Sequence, residues 1–277
     1  MKDIKTEELR NLASLVRRDI IEMSTACKTA AHPGPALSCA DIVTALYFKY
    51  MDIDSLNPEK ENRDRFILSK GHACPAQYSA LAEKGFFSKE EFKNFRHPSG
   101  ILQGHPTYRK TPGVDMTAGS LGNGLGIGLG MAYYLKKIKG YKSRVYVILG
   151  DGEINEGTVW EAVMYAPVVK VNNLIAFVDI NGFQSCGSCD GILPMPDLAR
   201  KWSSFGWNTI EIDGNDMEQV SDAIEIARSS QELPTVILAH TIKGKGVSFM
   251  ENNNAWHQHK LSDEQYYIAM KELGATL

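Results

Sequence analysis

The stretch RVYVILGDGEINEGTVWEAVMYAPVVKVNNLIAFVDIN, Arg144–Asn181, decides the fold. Its first seven residues, Arg144–Gly150, are an apolar run too short for a helix and rich in β-branched side chains, so they read as a buried strand. Asn173–Asn181 is a second such run, and Glu156–Val169 between them reads as a helix. A strand, a crossover helix and a strand place the two strands side by side and parallel. Strands written as nearly continuous apolar runs are covered on both faces.

Further out, the pattern repeats. Arg65–Ser69, Thr209–Asp213 and Thr235–Thr241 read as strands. Helices are expected over Ile4–Met23, Ser38–Met51 with Ser38 as cap, Ala73–Lys84, Ser88–Phe95, the later part of Gly119–Lys137, Asp197–Phe205, Asp216–Ser229 and Asp263–Leu273. In the first of these, Leu9, Leu12, Leu15, Val16, Ile20 and Met23 keep helical spacing. Alternating strands and helices imply an α/β fold, a parallel sheet with helices on both faces. No linker or internal repeat divides the chain, so residues 1–277 are expected to form a single domain. Ligands of such sheets sit at the carboxyl ends of the strands. Here those positions are the residues just after Ser69, Gly150, Asn181 and Thr241.

Composition narrows the function classes. With 43% hydrophobic and 23% charged residues, the chain has the material for a core and is not a disordered or coiled-coil sequence. A net charge of −3 gives no general attraction to nucleic acid or to an anionic membrane. The opening MKDIKTEELRNLA lacks the apolar centre of a secretory signal, and no run is long enough to span a bilayer, so a cytoplasmic location is expected. The five cysteines are not arranged as a disulfide framework. Cys186 and Cys189 make a CxxC, but in the loop NGFQSCGSCDG, with no second pair to complete a zinc site, and they read as reduced loop thiols.

The chemistry begins where the first strand ends. Asp151 lies between Gly150 and Gly152, and Glu153, Asn155 and Glu156 follow. The glycines let a ligand approach the backbone, the carboxylate suits a hard cation, and the next helix presents its N-terminus to an anion. Asn181 ends the neighbouring strand thirty residues after Asp151, and its amide oxygen is a second hard donor. Asp, Asn, a loop carbonyl and diphosphate oxygens together fit Mg²⁺, with Ca²⁺ or Mn²⁺ as alternatives because the donor set is permissive. The chain has seven histidines, and four stand in loops beside Gly or Pro, where they can pair with an anion or move protons. His97 and His259 carry no such assignment, and His240, in a strand, reads as structural. The glycines at 126, 128 and 130 read as sites of close helix packing, since the acidic residue of a dinucleotide fingerprint is missing.

This pattern resembles the thiamine-diphosphate-binding motif of transketolases. AHPGPALS resembles the segment around that family's first active-site histidine and matches His32; LSKGHACPAQY matches His72, and LQGHPT matches His105. TAGSLGNGLG resembles the loop whose backbone contacts the cofactor, at Gly119 and Leu121, and HTIKGKG with AWHQH matches the late histidine, His257. The resemblance spans about residues 9 to 275, with the motifs in the family's order. It implies a thiamine diphosphate site with Asp151, Asn181 and the backbone carbonyl of Phe183 on the metal, and His72, Gly119, Leu121, Asp151, Gly152, Glu156, Asn181 and His257 on the cofactor. It implies His32, His105 and His257 as catalytic residues that orient sugar hydroxyls or move protons. Glu156 alone reads as a first-turn carboxylate that favours the helix dipole. By resemblance it joins a network between two cofactor sites across a dimer interface.

The resemblance also implies an absence. Nothing here matches the glutamate that protonates the aminopyrimidine, nor the arginines that grip a sugar phosphate. The expectation is therefore the N-terminal subunit of a split transketolase. It would move a two-carbon ketol unit from a ketose to an aldehyde, with a sugar or sugar phosphate as substrate. A separate C-terminal subunit would supply the pyrimidine-side and last domains, in an α2β2 assembly. Two alternatives remain open on the residues: a subunit of a 2-oxo-acid dehydrogenase or a deoxyxylulose-phosphate-synthase relative, and a non-catalytic thiamine-diphosphate-binding module.

Overall fold

The computed structural model describes residues 4–275. Helix α1 (Thr6–Ala26) leads into two short helices, α2 (Pro33–Ser38) and α3 (Ala40–Ala45), and then into strand β1 (Arg65–Leu68). Helices α4 (Cys74–Glu83) and α5 (Asn123–Tyr133) precede β2 (Val145–Gly150), α6 (Gly157–Val168) and β3 (Leu174–Ile180). A two-residue hairpin, β4 (Phe183–Gln184) with β5 (Gly187–Ser188), is followed by α7 (Cys189–Ile192) and α8 (Leu198–Ser204). The chain then runs through β6 (Asn208–Asp213), α9 (Met217–Ser229), β7 (Thr235–His240) and α10 (Asp263–Glu272).

Five strands form one sheet in the order β1-β2-β3-β7-β6, and every pair is parallel. Side chains alternate between its faces with period two, as a strand requires. Phe66, Tyr146, Ile148, Ile175, Phe177 and Ile237 pack into one core with α1, α3, α4 and α9. Ile67, Val147, Leu149, Ala176, Val178 and Leu238 pack into the other with α5, α6 and α8. Both faces are therefore covered, which is why β2 and β3 read as unbroken apolar runs. Each Val, Leu, Ile or Phe among them contributes about 1.5–3 kcal/mol when buried.

Several expectations are corrected. The single helix expected from Ser38 breaks at Cys39, and Ser38 is no cap: its hydroxyl donates to the Pro35 carbonyl and to Asp179, under the end of the sheet. Ser88–Phe95 is a 3-10 helix over Lys89–Asn94, capped by Ser88. Of the α5 glycines, Gly128 packs closely, since a Cβ there would sit 2.6 Å from Val147 Cγ2. Gly126 and Gly130 have nothing within 4 Å, because they face outward. His240 does lie in a strand, as the last residue of β7, and is exposed there, 2.7 Å from Glu211 of β6.

Candidate active site

The carboxyl ends of β1, β2 and β3 open onto a cavity of about 560 Å³. The structure brings every residue singled out above to its wall: His32, His72, His105, Gly119, Leu121 and Asp151, with Gly152, Glu156, Asn181, Phe183 and His257. His97, His240 and His259 are not part of this wall.

Three of the histidines form a cluster. Ring centroids lie 5.3 Å apart for His32 and His72, 5.6 Å for His32 and His257, and 5.2 Å for His72 and His257. They come from distant segments held together by backbone. Ala31 and His259 exchange N–H···O bonds at 3.1 and 2.9 Å. A Cβ at Gly34 would lie 2.7 Å from the Trp256 carbonyl, so glycine is needed where the His32 segment meets the His257 segment. Burial is the main force on all of these imidazoles and holds them neutral. His32 is lowered to about 4, with Arg96, His105 and Lys243 adding to the effect, and His257 to about 3, with Lys243 adding to it. His72 falls well below the ordinary histidine value, and His105 is lowered too.

The oxygen donors sit opposite. Asp151 is buried and accepts N–H bonds from Gly152 at 2.8 Å and Gly182 at 2.6 Å. Asn181 donates from Nδ2 to Asp179 at 3.2 Å, which fixes its amide and leaves Oδ1 to accept from Phe183 N–H at 3.1 Å. Among the described residues no cation pairs with Asp151, and burial, with Asp179 nearby, raises its carboxyl above the usual range. A buried carboxylate without a counter-ion, beside an amide and a loop carbonyl, is an all-oxygen set that fits a hard divalent cation. The Oδ1 of Asn155, in the same wall, is buried without a donor. Both observations fit a bound polar group that carries a cation and an N–H.

Lys70, Asp179 and Lys243 escaped the sequence reading, and Glu153 was named there without a role. Lys70 is fully buried and ion-pairs with Asp179, which also accepts from Ser38 and Thr241. Lys243 is fully buried beside His257, and burial lowers its ammonium to about 8. Glu153 accepts from Ser69 Oγ, from Gly122 N–H at 2.9 Å and from Gly150 N–H at 3.0 Å, so it ties the ends of β1 and β2 to the start of α5. The signal was available for both lysines, which stand one and two residues beyond the strand ends marked as ligand positions. All five cysteines are free, but Cys189 is more than a bland loop thiol: burial beside the Asp151 carboxylate raises it to about 12. Glu156 is exposed at the cavity edge and caps nothing at α6.

A doubly covered parallel sheet with a histidine-lined cavity at its strand ends is the architecture of a ligand-binding α/β protein. The chain belongs to the family described as transketolase, thiamine diphosphate binding domain, which matches residues 9–276. It is 41% identical over 266 residues to the 6-deoxy-6-sulfo-D-fructose transketolase subunit SqwG of Clostridium sp. (strain MSTE9), covering 96% of each chain. It is 37% identical over 275 residues to an apulose-4-phosphate transketolase subunit of Phocaeicola vulgatus, covering 99% of this chain and 96% of that one. The transketolase of Pichia stipitis in complex with sedoheptulose-7-phosphate superimposes with a TM-score of 0.91 at 28% identity, over 98% of this chain. The chain spans only 41% of that solved transketolase.

Proposed function

We propose that this chain is the N-terminal, diphosphate-side subunit of a split transketolase. The observation that carries the proposal is the single cavity that unites Asp151 and Asn181 with His32, His72, His105 and His257. The relatives support it, because two of those it matches nearly end to end are named as transketolase subunits. They also favour transketolase over a dehydrogenase subunit.

In this reading Asp151, Asn181 and the Phe183 carbonyl hold Mg²⁺, or Ca²⁺ or Mn²⁺. His72, Gly119, Leu121, Gly152 and His257 hold thiamine diphosphate, with Lys243 as a buried cation beside them. When bound, thiamine diphosphate supplies the carbon nucleophile and electron sink for two-carbon transfer. The chain's own part is positioning and proton handling. Neutral imidazoles at His32 and His105 can accept a hydroxyl proton from a ketose donor and return it to an aldehyde acceptor, while His257 orients a sugar hydroxyl. Lys243, an ammonium with protons only to give, makes Nδ1 of His257 the acceptor and leaves Nε2 as a donor.

Residues 1–277 act as one domain, and a C-terminal partner completes the pyrimidine side in an α2β2 assembly. Support comes from an apolar face beside Leu121 and Glu156. Ile127 and Tyr133 on α5, with Met164, Tyr165 and Val168 on α6, are exposed around the open Gly126 and Gly130. Apolar area of this kind marks a surface that is covered in an assembly. Glu156, at the edge of that face, would meet the second cofactor site.

The donor half-reaction tests the reading. The assembled protein with thiamine diphosphate, Mg²⁺ and a ketose donor, without acceptor, is expected to release the shortened aldose. Release of carbon dioxide from pyruvate instead would favour the dehydrogenase reading.

A further inference from the structure

His32 and His105 reach the cavity from segments that share no helix or strand. His32 follows Ala30 and Ala31 beyond the end of α1, and His105 lies in the long loop before α5. One side chain touches both segments. Arg96 donates from Nη1 to the Ala30 carbonyl. Its guanidinium lies against Gly104, where a Cβ would come within 3.2 Å of Nε. Its own N–H donates to the Leu102 carbonyl at 2.8 Å. Arg96 also holds φ at +61°, a region that residues with side chains enter only when their surroundings over-determine them.

On its other side the His105 loop is held by α4. The Tyr78 hydroxyl donates to the carbonyls of Gln103 at 2.9 Å and His105 at 3.0 Å, and the Cys74 thiol to Gly104 at 3.3 Å. The loop is thus braced between α4 and Arg96, and Arg96 carries the brace across to the His32 segment. Arg96 is not among the residues that line the cavity, so it acts through the two histidines.

We propose that Arg96 is a positioning residue that ties the His32 segment to the His105 loop and sets the spacing of these two imidazoles on the sugar side of the cavity. What the two histidines do for a sugar rests on the transketolase reading; the tie itself does not. The charges agree with the geometry. Burial acts most on both rings, but Arg96 is the largest charge on His32, ahead of His105 and Lys243, and the one charge resolved on His105. His72 answers to Lys70, His32, His257 and His105, and His257 to Lys243, His32 and Lys70.

The test follows the ring signals of the histidines by NMR against pH, in the wild type, Arg96→Gln, Arg96→Lys and Gly104→Ala. Thermal unfolding confirms that each variant is folded. With Arg96→Gln, His32 and His105 are expected to titrate at higher pH by roughly half a unit or more, while His72 and His257 move less. Arg96→Lys keeps the charge and is expected to restore both titrations. Gly104→Ala pushes on the guanidinium without removing it, and is expected to move the His32 signals as well as those of His105. This last variant also decides the matter if Arg96→Gln fails to fold. Titrations of His32 and His105 unchanged in a folded Arg96→Gln, or a Gly104→Ala that moves His105 alone, would overturn the proposal. In the assembled enzyme, Arg96→Gln is expected to move the acid limb of kcat/KM for the donor ketose to higher pH, with Arg96→Lys restoring it. A protein with no transfer activity would sink the functional reading, while the NMR titrations would still decide the tie.

Discussion

Lys243 Nζ lies 2.9 Å from Nδ1 of His257 and 2.7 Å from Oδ1 of Asn254, with the lysine wholly buried. A buried ammonium held this way is a fixed positive charge behind His257, which does line the cavity, and it adds to the burial that keeps this imidazole neutral. Lys243→Met is therefore expected to let His257 titrate closer to 6.5 and to weaken thiamine diphosphate binding about tenfold or more. Calorimetry and NMR check the two effects. Unchanged affinity would remove Lys243 from the site.

Asp151 carries the proposed cation. Asp151→Ala is expected to weaken Mg²⁺-dependent thiamine diphosphate binding by more than about 100-fold, beyond the usual effect of losing an outer-shell partner. The substitution leaves the Gly152 and Gly182 N–H groups without their acceptor, so a thermal melt must accompany the titration. Tight binding by a folded Asp151→Ala protein would sink the metal assignment.

Glu153 is a clamp rather than a ligand. Glu153→Ala strands three donors, the Ser69 hydroxyl and the N–H groups of Gly122 and Gly150, and is expected to cost about 3 kcal/mol of stability. Chemical denaturation reads the loss directly. A change near zero would mean that water replaces the carboxylate without penalty.

The histidine cluster fixes the acid dependence of stability. Folded His32 and His257 are lowered to about 4 and about 3, below the 6.5 they take when unfolded. Between those values the unfolded chain binds more protons. Stability is therefore lost as pH falls below 6.5, and the loss levels off near the folded values. Melting temperatures at pH 7.5 and pH 5 are expected to differ less in a His32→Gln/His257→Gln double variant than in the wild type. Equal differences would contradict the burial argument.

Much of this site was legible in the sequence, for identifiable reasons. Strands β2 and β3 announce themselves because both faces are buried, and the rule that ligands sit at strand ends then points to Asp151 and Asn181. What stayed hidden depends on contacts between distant segments. Ser38 reads as a helix cap, yet its hydroxyl reaches Asp179, 141 positions away. Lys70 and Lys243 drew no reading, because a sequence does not show that a charge is buried beside a partner. Gly126 and Gly130 read like Gly128, and only the helix phase separates the packed glycine from the two that face outward.

An active site divided between two chains is tested best by two-carbon transfer from xylulose 5-phosphate to ribose 5-phosphate, with thiamine diphosphate and Mg²⁺. The chain is assayed alone and together with a separately expressed pyrimidine-side subunit. Transfer is expected in the mixture and none with the chain alone. Transfer by the chain alone, or cofactor binding without turnover in the mixture across phosphorylated and sulfonated donors, would contradict the divided site.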